Sequence, residues 1–180
     1  MKIETLELLR KLQEKFGVKG RPSGSFGKIV QKLLALTFHE LSFRDIVERS
    51  VQGADIDATD PYNNKFTFEV KTTEGLTIYL SPDNVNALRE RIKDGYSPII
   101  AILRLSPFEN WILAKIPINE IPTGQVLIES LERYRLEELE TRLPSVFDKI
   151  VERHYFGTLK KGETYLKEQL KKAGVILKED

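Results

Sequence analysis

The chain contains no cysteine. That excludes a disulfide framework, a thiolate zinc site, an iron–sulfur cluster and a cysteine nucleophile. Histidine is almost as scarce. His39 and His154 are the only two, too few for a three-histidine zinc centre, and neither accompanies a nucleophile-elbow sequence. No apolar run approaches the roughly 18 residues of a membrane span. The opening stretch MKIETLELLRKLQEKF is amphipathic and carries acids, without the apolar block or cleavage site of a signal peptide. A cytoplasmic protein with no membrane anchor is expected. An excess of one charge is also missing: 28 Lys and Arg oppose 27 Asp and Glu, for a net charge of +1. The whole chain is therefore no basic nucleic-acid glue, although local patches remain open. Its 180 residues are 41% hydrophobic and 31% charged, enough for one well-buried domain, with or without an appendage, and not the composition of a disordered chain. Abundant Lys and Glu with a single Met resembles thermophile composition.

Periodicity organises the chain. Ile3, Leu6, Leu8, Leu9, Leu12 and Phe16 recur at helical spacing. The segment GVKGRPSGSFGK reads as a loop, and Ser25 can cap a second helix ending near Leu41. Strands dominate the middle: RDIVERSV, ADIDAT, KFTFEVKTT and GLTIYL, with DPYNN as the turn between the second and third. Ser81 and Pro82 open a helix that Gly95 ends. PIIAILRL is continuously apolar and suits a strand covered on both faces. NWILAKIPI follows as a partner that Pro117 confines to an edge or a strand end. Helices are predicted over 126–143, with Pro144 as the interruption, then over 145–156 and 162–173. The fold class is α/β, a mixed central β-sheet flanked by helices. Three segments are expected: an N-terminal helix and glycine-rich loop at 1–23, a core at 24–125, and a C-terminal helical extension packed on the core at 126–180.

The chemistry gathers on two neighbouring strands. With a period of two, Asp55 and Asp57 share one face, Glu69 and Lys71 share one face, and Val70 points to the core. If DPYNN closes a hairpin, two or three carboxylates converge beside one ammonium. Carboxylates that close repel unless a cation lies between them, and hard oxygen ligands favour Mg²⁺ or Mn²⁺. Such an ion polarises a phosphoryl oxygen, and Lys71 is placed to orient water or stabilise developing charge. The bland alternative is a solvated strand face with a cross-strand ion pair. Asp57 is either an acid behind the site or merely the next outward residue.

Gly53-Ala54-Asp55-Ile56 followed, 14 residues from Asp55 to Glu69, by Phe68-Glu69-Val70-Lys71-Thr72 resembles the PD-(D/E)XK nuclease superfamily. The resemblance covers roughly residues 24–116 and includes the order helix, three strands, helix, apolar strand. It implies a restriction endonuclease-like core with extra N- and C-terminal helices. It implies that Asp55, Glu69 and the Val70 carbonyl hold Mg²⁺ (or Mn²⁺) and that Lys71 serves the attacking water. Where the superfamily often adds a helical Glu, this chain has Lys28 and Gln31, and Ala54 replaces the Pro of the motif name. Gln31 and Asp57 are accessory candidates. The implied function is a metal-dependent DNA endonuclease of restriction or repair type, plausibly a homodimer because two duplex strands call for two sites. The alternative is a nuclease-like module that binds nucleic acid or protein without cutting.

For phosphate or base contacts the candidates are Lys19, Arg21, Ser25, Lys28, Thr72, Thr73, Ser81 and Asn84, since residues 1–32 hold eight Lys and Arg against three Glu. Other motifs fall short. DIDAT fits the DxDxT of haloacid-dehalogenase phosphatases but lacks their leading apolar strand. HELSF has Phe43 where a zinc protease needs its second His, and PSGSFGK lacks the first Gly and the Ser/Thr of a P-loop.

Overall fold

In the computed structural model, residues 1–17, 25–49, 53–107 and 109–178 are described. Helix α1 (Ile3–Phe16) buries Leu6, Leu9 and Leu12, the stripe that its spacing predicts. Helix α2 (Ser25–Glu40) is apolar on more than one side. Ile29, Val30, Leu33, Leu34, Ala35, Leu36 and Phe38 are all buried, as expected for a helix inside the core rather than on its rim.

The strands are β1 (Arg44–Arg49), β2 (Ile56–Thr59), β3 (Lys65–Thr73), β4 (Thr77–Leu80), β5 (Ser97–Arg104), β6 (Trp111–Lys115), β7 (Gly124–Leu127) and β8 (Ile176–Lys178). Six form a mixed sheet in the order β6-β5-β3-β2-β1-β8, and β4 pairs with β7 in a separate ribbon. β2 and β3 form the antiparallel hairpin expected across DPYNN, with Ile56 opposite Phe68 and Thr59 opposite Lys65. β3 then runs parallel to β5 over its whole length to the Thr73–Arg104 pair. The intervening helix α3 (Pro82–Lys93) supplies the crossover that a parallel pair needs.

Two apolar layers sandwich the sheet. On one face, Phe66, Phe68, Ile99, Ala101 and Leu113 pack against α1, α2, α4 (Glu137–Lys161) and α5 (Glu163–Lys172). On the other, Ile100, Ile102, Ile112 and Ala114 meet Val85 and Leu88 of α3 and Ile78 and Leu80 of β4. The Thr67–Glu69 side of β3 is therefore not a solvated face: Thr67 and Glu69 are buried.

The region after residue 123 departs from expectation. The helix predicted over 126–143 begins only at Glu137; strand β7 and a 3-10 segment, Ile128–Tyr134, take the place of its first part. Pairing with β4, Thr77 to Leu127 and Ile78 to Val126, overrides the helical spacing of the apolar residues there. Pro144 does not interrupt α4 but lies inside it. Proline costs a helix one hydrogen bond and crowds the preceding turn, and here Leu143, Phe147, Ile150 and Val151 are buried in the core on both sides of it. The segment 126–180, expected as a helical extension, also contributes β8 to the main sheet, parallel to β1. Among the described residues no helix is long and apolar enough to cross a membrane.

A charged cluster sits inside the helical layer. Lys32 of α2 is fully buried, its Nζ 3.0 Å from Glu48 Oε1 and 3.2 Å from Glu163 Oε2 at the start of α5. Burial pushes the Glu48 carboxyl above its ordinary range, against the pull of Lys32. Removing one partner of such a set strands the other in the interior. Lys32→Ala is expected to destabilise the protein by about 3–5 kcal/mol in urea unfolding, and more than any exposed lysine-to-alanine change.

Candidate active site

The site lies where β2 stops pairing with β3. The last residue pair of that ladder is Ile56 with Phe68, while β3 continues for five more residues. The next backbone donor on the β2 side, the Val70 N–H, donates to Asp55 Oδ2 at 2.8 Å. A side chain thus takes the place that a strand backbone has just vacated. In an extended strand the N–H and C=O of one residue point the same way, so the Val70 carbonyl is directed toward the same side as Asp55.

Glu69 and Lys71 project toward α3. Lys71 Nζ is 2.8 Å from Glu69 Oε1 and donates to Asn84 Oδ1 at 3.1 Å. Asn84 is held by a capping box at the start of α3: its Oδ1 accepts from the Ser81 N–H and hydroxyl, and its own N–H donates to Ser81 Oγ. Glu69 is 2% exposed, and among the described residues its Oε2 has no hydrogen-bond partner. Its carboxyl is pushed up to about 7, first by burial and then by the negative charge of Asp55, with Lys71 opposing. Asp55 and Glu69 therefore feel one another across the cleft.

From the other side α2 reaches in. Lys28 Nζ donates to Gln31 Oε1 at 3.0 Å and lies 3.4 Å from Asp55 Oδ1. Gln31 Nε2 is within hydrogen-bond range of three acceptors: Glu48 Oε1 at 2.8 Å, the Arg49 carbonyl at 2.7 Å and the Asp55 carbonyl at 3.0 Å. Gln31 thus fastens the helix to the ends of β1 and β2.

The structure brings Asp55, Glu69, Val70, Lys71, Lys28 and Gln31 together. Asp57 stands apart: it is fully buried, and its Oδ2 accepts from Arg49 at 2.6 Å and Arg91 at 2.7 Å. It is neither an outward residue nor one facing the cleft. Thr72 and Thr73 line a cleft of about 380 Å³ with Lys71, Thr77, Ile78, Tyr79 and Gln125. Thr73 also shapes the turn that follows, accepting from the Gly75 N–H and donating to the Thr77 carbonyl. Ser81 and Asn84 cap α3. Lys19 and Arg21 lie outside the described residues, as does the side chain of Ser25. Sequence reasoning missed Arg49, Arg91, Glu48 and Lys32. The signal for the arginines was the need of Asp57 for counter-charge; the Lys32–Glu48 contact leaves no mark in linear spacing.

No protein-family model matches the chain, and no curated protein matches it. A solved structure that does match is the 1.6 Å resolution structure of Archaeoglobus fulgidus Hjc, a Holliday junction resolvase from an archaeal hyperthermophile. The TM-score is 0.50 and the identity 19%, over 64% of this chain and 96% of that one. What the two share is a fold, a mixed central sheet flanked by helices of the restriction endonuclease-like kind. At this identity the likeness speaks to architecture alone.

These residues fit a hard divalent cation. Among the described residues no group of three or more His, Asp or Glu is arranged to hold a metal, so the acids on offer are two. Mg²⁺ needs only one or two carboxylates and otherwise retains water. The unpartnered Glu69 Oε2, beside a second carboxylate and a backbone carbonyl, is the donor such an ion satisfies.

The raised Glu69 carboxyl has a pH consequence. Its folded value, about 7, exceeds its ordinary value of 4.5, so the folded state holds the proton more tightly than the unfolded chain. The stabilisation is complete below the ordinary value and is lost as pH rises through about 7. In EDTA, urea unfolding should show wild-type stability falling between about pH 5 and about pH 8. Glu69→Gln should remove the part of that slope near pH 7 and leave the part owed to Glu48, which burial also raises.

Proposed function

We propose that this protein is a nuclease that hydrolyses phosphodiester bonds in DNA with Mg²⁺ or Mn²⁺. The observation that carries the reading is the meeting of Asp55, Glu69 and Lys71 at the open end of β3, with one buried Glu69 oxygen unpartnered. The fold shared with a Holliday junction resolvase supports DNA as the substrate.

Asp55, Glu69 and the Val70 carbonyl are the groups that would hold the cation. When bound, such an ion supplies electrostatic stabilisation for the negative charge that builds on the phosphoryl oxygens. The rest falls to side chains. A lysine ammonium has three donors, and Glu69 and Asn84 engage two of those of Lys71. The third remains to orient an attacking water or to meet charge on the phosphoryl group. Water adds to phosphorus in line, the opposite P–O ester bond breaks, and the proton that the water loses is matched by one gained on the departing oxygen. Asn84 acts through Lys71 and is a positioning residue. A homodimer would bring two such sites to the two strands of a duplex.

The rival reading is a nuclease-like module that binds without cutting. It draws on Gln31, an amide where the superfamily often has an acid.

One assay separates the two. Purified protein should nick supercoiled plasmid with Mg²⁺ and not with EDTA, and Asp55→Ala, Glu69→Ala and Lys71→Ala should each lower the rate by about 10²-fold or more. Activity that survives in Lys71→Ala, or none in the wild type with either metal, overturns the proposal. Asn84→Ala should lower kcat about tenfold and leave KM nearly unchanged, since it frees the Lys71 ammonium without touching DNA.

A further inference from the structure

The carboxylate cleft already contains a cation of its own. Lys28 sits one helical turn from Gln31, and its Nζ lies between Gln31 Oε1 at 3.0 Å and Asp55 Oδ1 at 3.4 Å. The amide cannot turn away, because its nitrogen is engaged with Glu48 and with the backbone carbonyls of Arg49 and Asp55. Gln31 Oε1 is thus a fixed acceptor that aims the ammonium at Asp55. Lys28 is also near enough for its charge to favour ionisation of Glu69 and Glu48. Its side chain is 32% exposed, against 15% for Asp55, so Lys28 is the more open of the two to solvent.

With both carboxylates ionised, the charges balance without a metal: Asp55 and Glu69 face Lys28 and Lys71. A divalent ion added to that set leaves two positive charges uncompensated. Uncompensated charge in a half-buried site is costly, and Lys28, on a long flexible side chain that is partly exposed, is the cation best placed to leave. Once it leaves, one positive charge remains in excess, the amount that a single DNA phosphodiester neutralises.

We propose that Lys28 is an exchangeable counter-ion of the active site: it occupies the cleft in the metal-free protein, yields to the divalent cation, and then contacts a phosphate oxygen of the DNA. The proposal rests on the nuclease reading above. Metal and DNA binding are then positively coupled, each raising the affinity for the other by the same factor. Gln31 is the positioning residue that sets the closed state.

The test needs no turnover. Mn²⁺ binding to the full chain is measured by titration calorimetry without nucleic acid, for wild type, Lys28→Met and Lys11→Met, the last an exposed lysine of α1 that makes the same change in net charge. Lys28→Met should bind Mn²⁺ about tenfold more tightly than wild type, and Lys11→Met should match wild type within about twofold. In wild type, Mn²⁺ should also raise the rate at which an amine-acylating reagent labels Lys28, read by peptide mass spectrometry. If Lys28→Met folds poorly, Lys28→Gln carries the same expectation. Equal affinity in wild type and the Lys28 variants, an equal gain in Lys11→Met, or labelling of Lys28 that ignores Mn²⁺ ends the proposal. Mg²⁺-dependent nicking by the wild type would leave the nuclease reading standing in any of those cases. Failure of every protein to bind Mn²⁺, together with no nicking, overturns that reading and this one with it.

Discussion

A single hydrogen bond, from the Val70 N–H to Asp55 Oδ2, makes the end of the β2–β3 hairpin a site. β3 is paired on both sides as far as Phe68, and from there to Thr73 its backbone ladder continues only toward β5. A strand that loses one neighbour in the middle of a sheet exposes donors and acceptors that must be satisfied. Here a carboxylate does it for Val70, and in doing so is pinned beside Glu69, the next acid on β3. The open flank that remains is a cleft with backbone, acid and amine all facing into it. The same geometry that solves a pairing problem therefore assembles the reactive groups, and the two cannot be altered independently.

Charge buried around that cleft acts mainly as alignment. On the helical side, Lys32 joins Glu48 of β1 to Glu163 of α5, and Glu48 in turn accepts from Gln31. On the α3 side, Asp57 holds Arg49 of β1 and Arg91 of α3 to one carboxylate oxygen, with the Arg91 guanidinium 4.1 Å from the centre of the Tyr96 ring. Buried ion pairs contribute little net stability, but a missing partner is costly. They reward one arrangement of α2, α3 and β1 over its neighbours. The C-terminal helices belong to this frame through Glu163, and they also guard the sheet. At the β6 edge, the Leu113 N–H donates to Glu140 Oε1 at 2.6 Å and the Leu113 carbonyl accepts from the Leu136 N–H. Those groups are thereby closed to pairing with another chain.

The parts legible in the sequence are those governed by local period. α1, α2 and the β2–β3 hairpin follow from spacing and turn residues, and β5 from an apolar run covered on both faces. The meeting of Asp55, Glu69 and Lys71 was legible for the same reason, since a hairpin with a period of two leaves few other arrangements. What escaped depends on contacts between distant segments. Leu127, Leu131 and Tyr134 keep a helical rhythm, yet β4 draws the first of them into a strand. β8 spans three residues, too short for any period to show. Asn84 is the instructive case at the site. Its place in the sequence suits a base contact or a turn cap, and the structure shows the cap, with its oxygen occupied by Ser81 and also by Lys71. Its role emerges only when the start of α3 is seen beside β3.

Gln31 also shows why an amide stands where an acid is common. Its nitrogen faces Glu48 Oε1 and the carbonyls of Arg49 and Asp55, all acceptors, at 2.7–3.0 Å. A carboxylate in that position would set negative charge against three oxygens in a buried environment, where each unpaired or repelled polar group costs about 1–3 kcal/mol. It would also stand beside Glu48, whose carboxyl is already raised by burial. An acid there would stay protonated or turn away, and either response would release the ends of β1 and β2. An amide, by contrast, donates inward with its nitrogen and keeps an oxygen for Lys28. An amide at this position therefore matches its surroundings: with Lys32 it answers the buried Glu48 from α2, and it answers the ammonium of Lys28 with its oxygen.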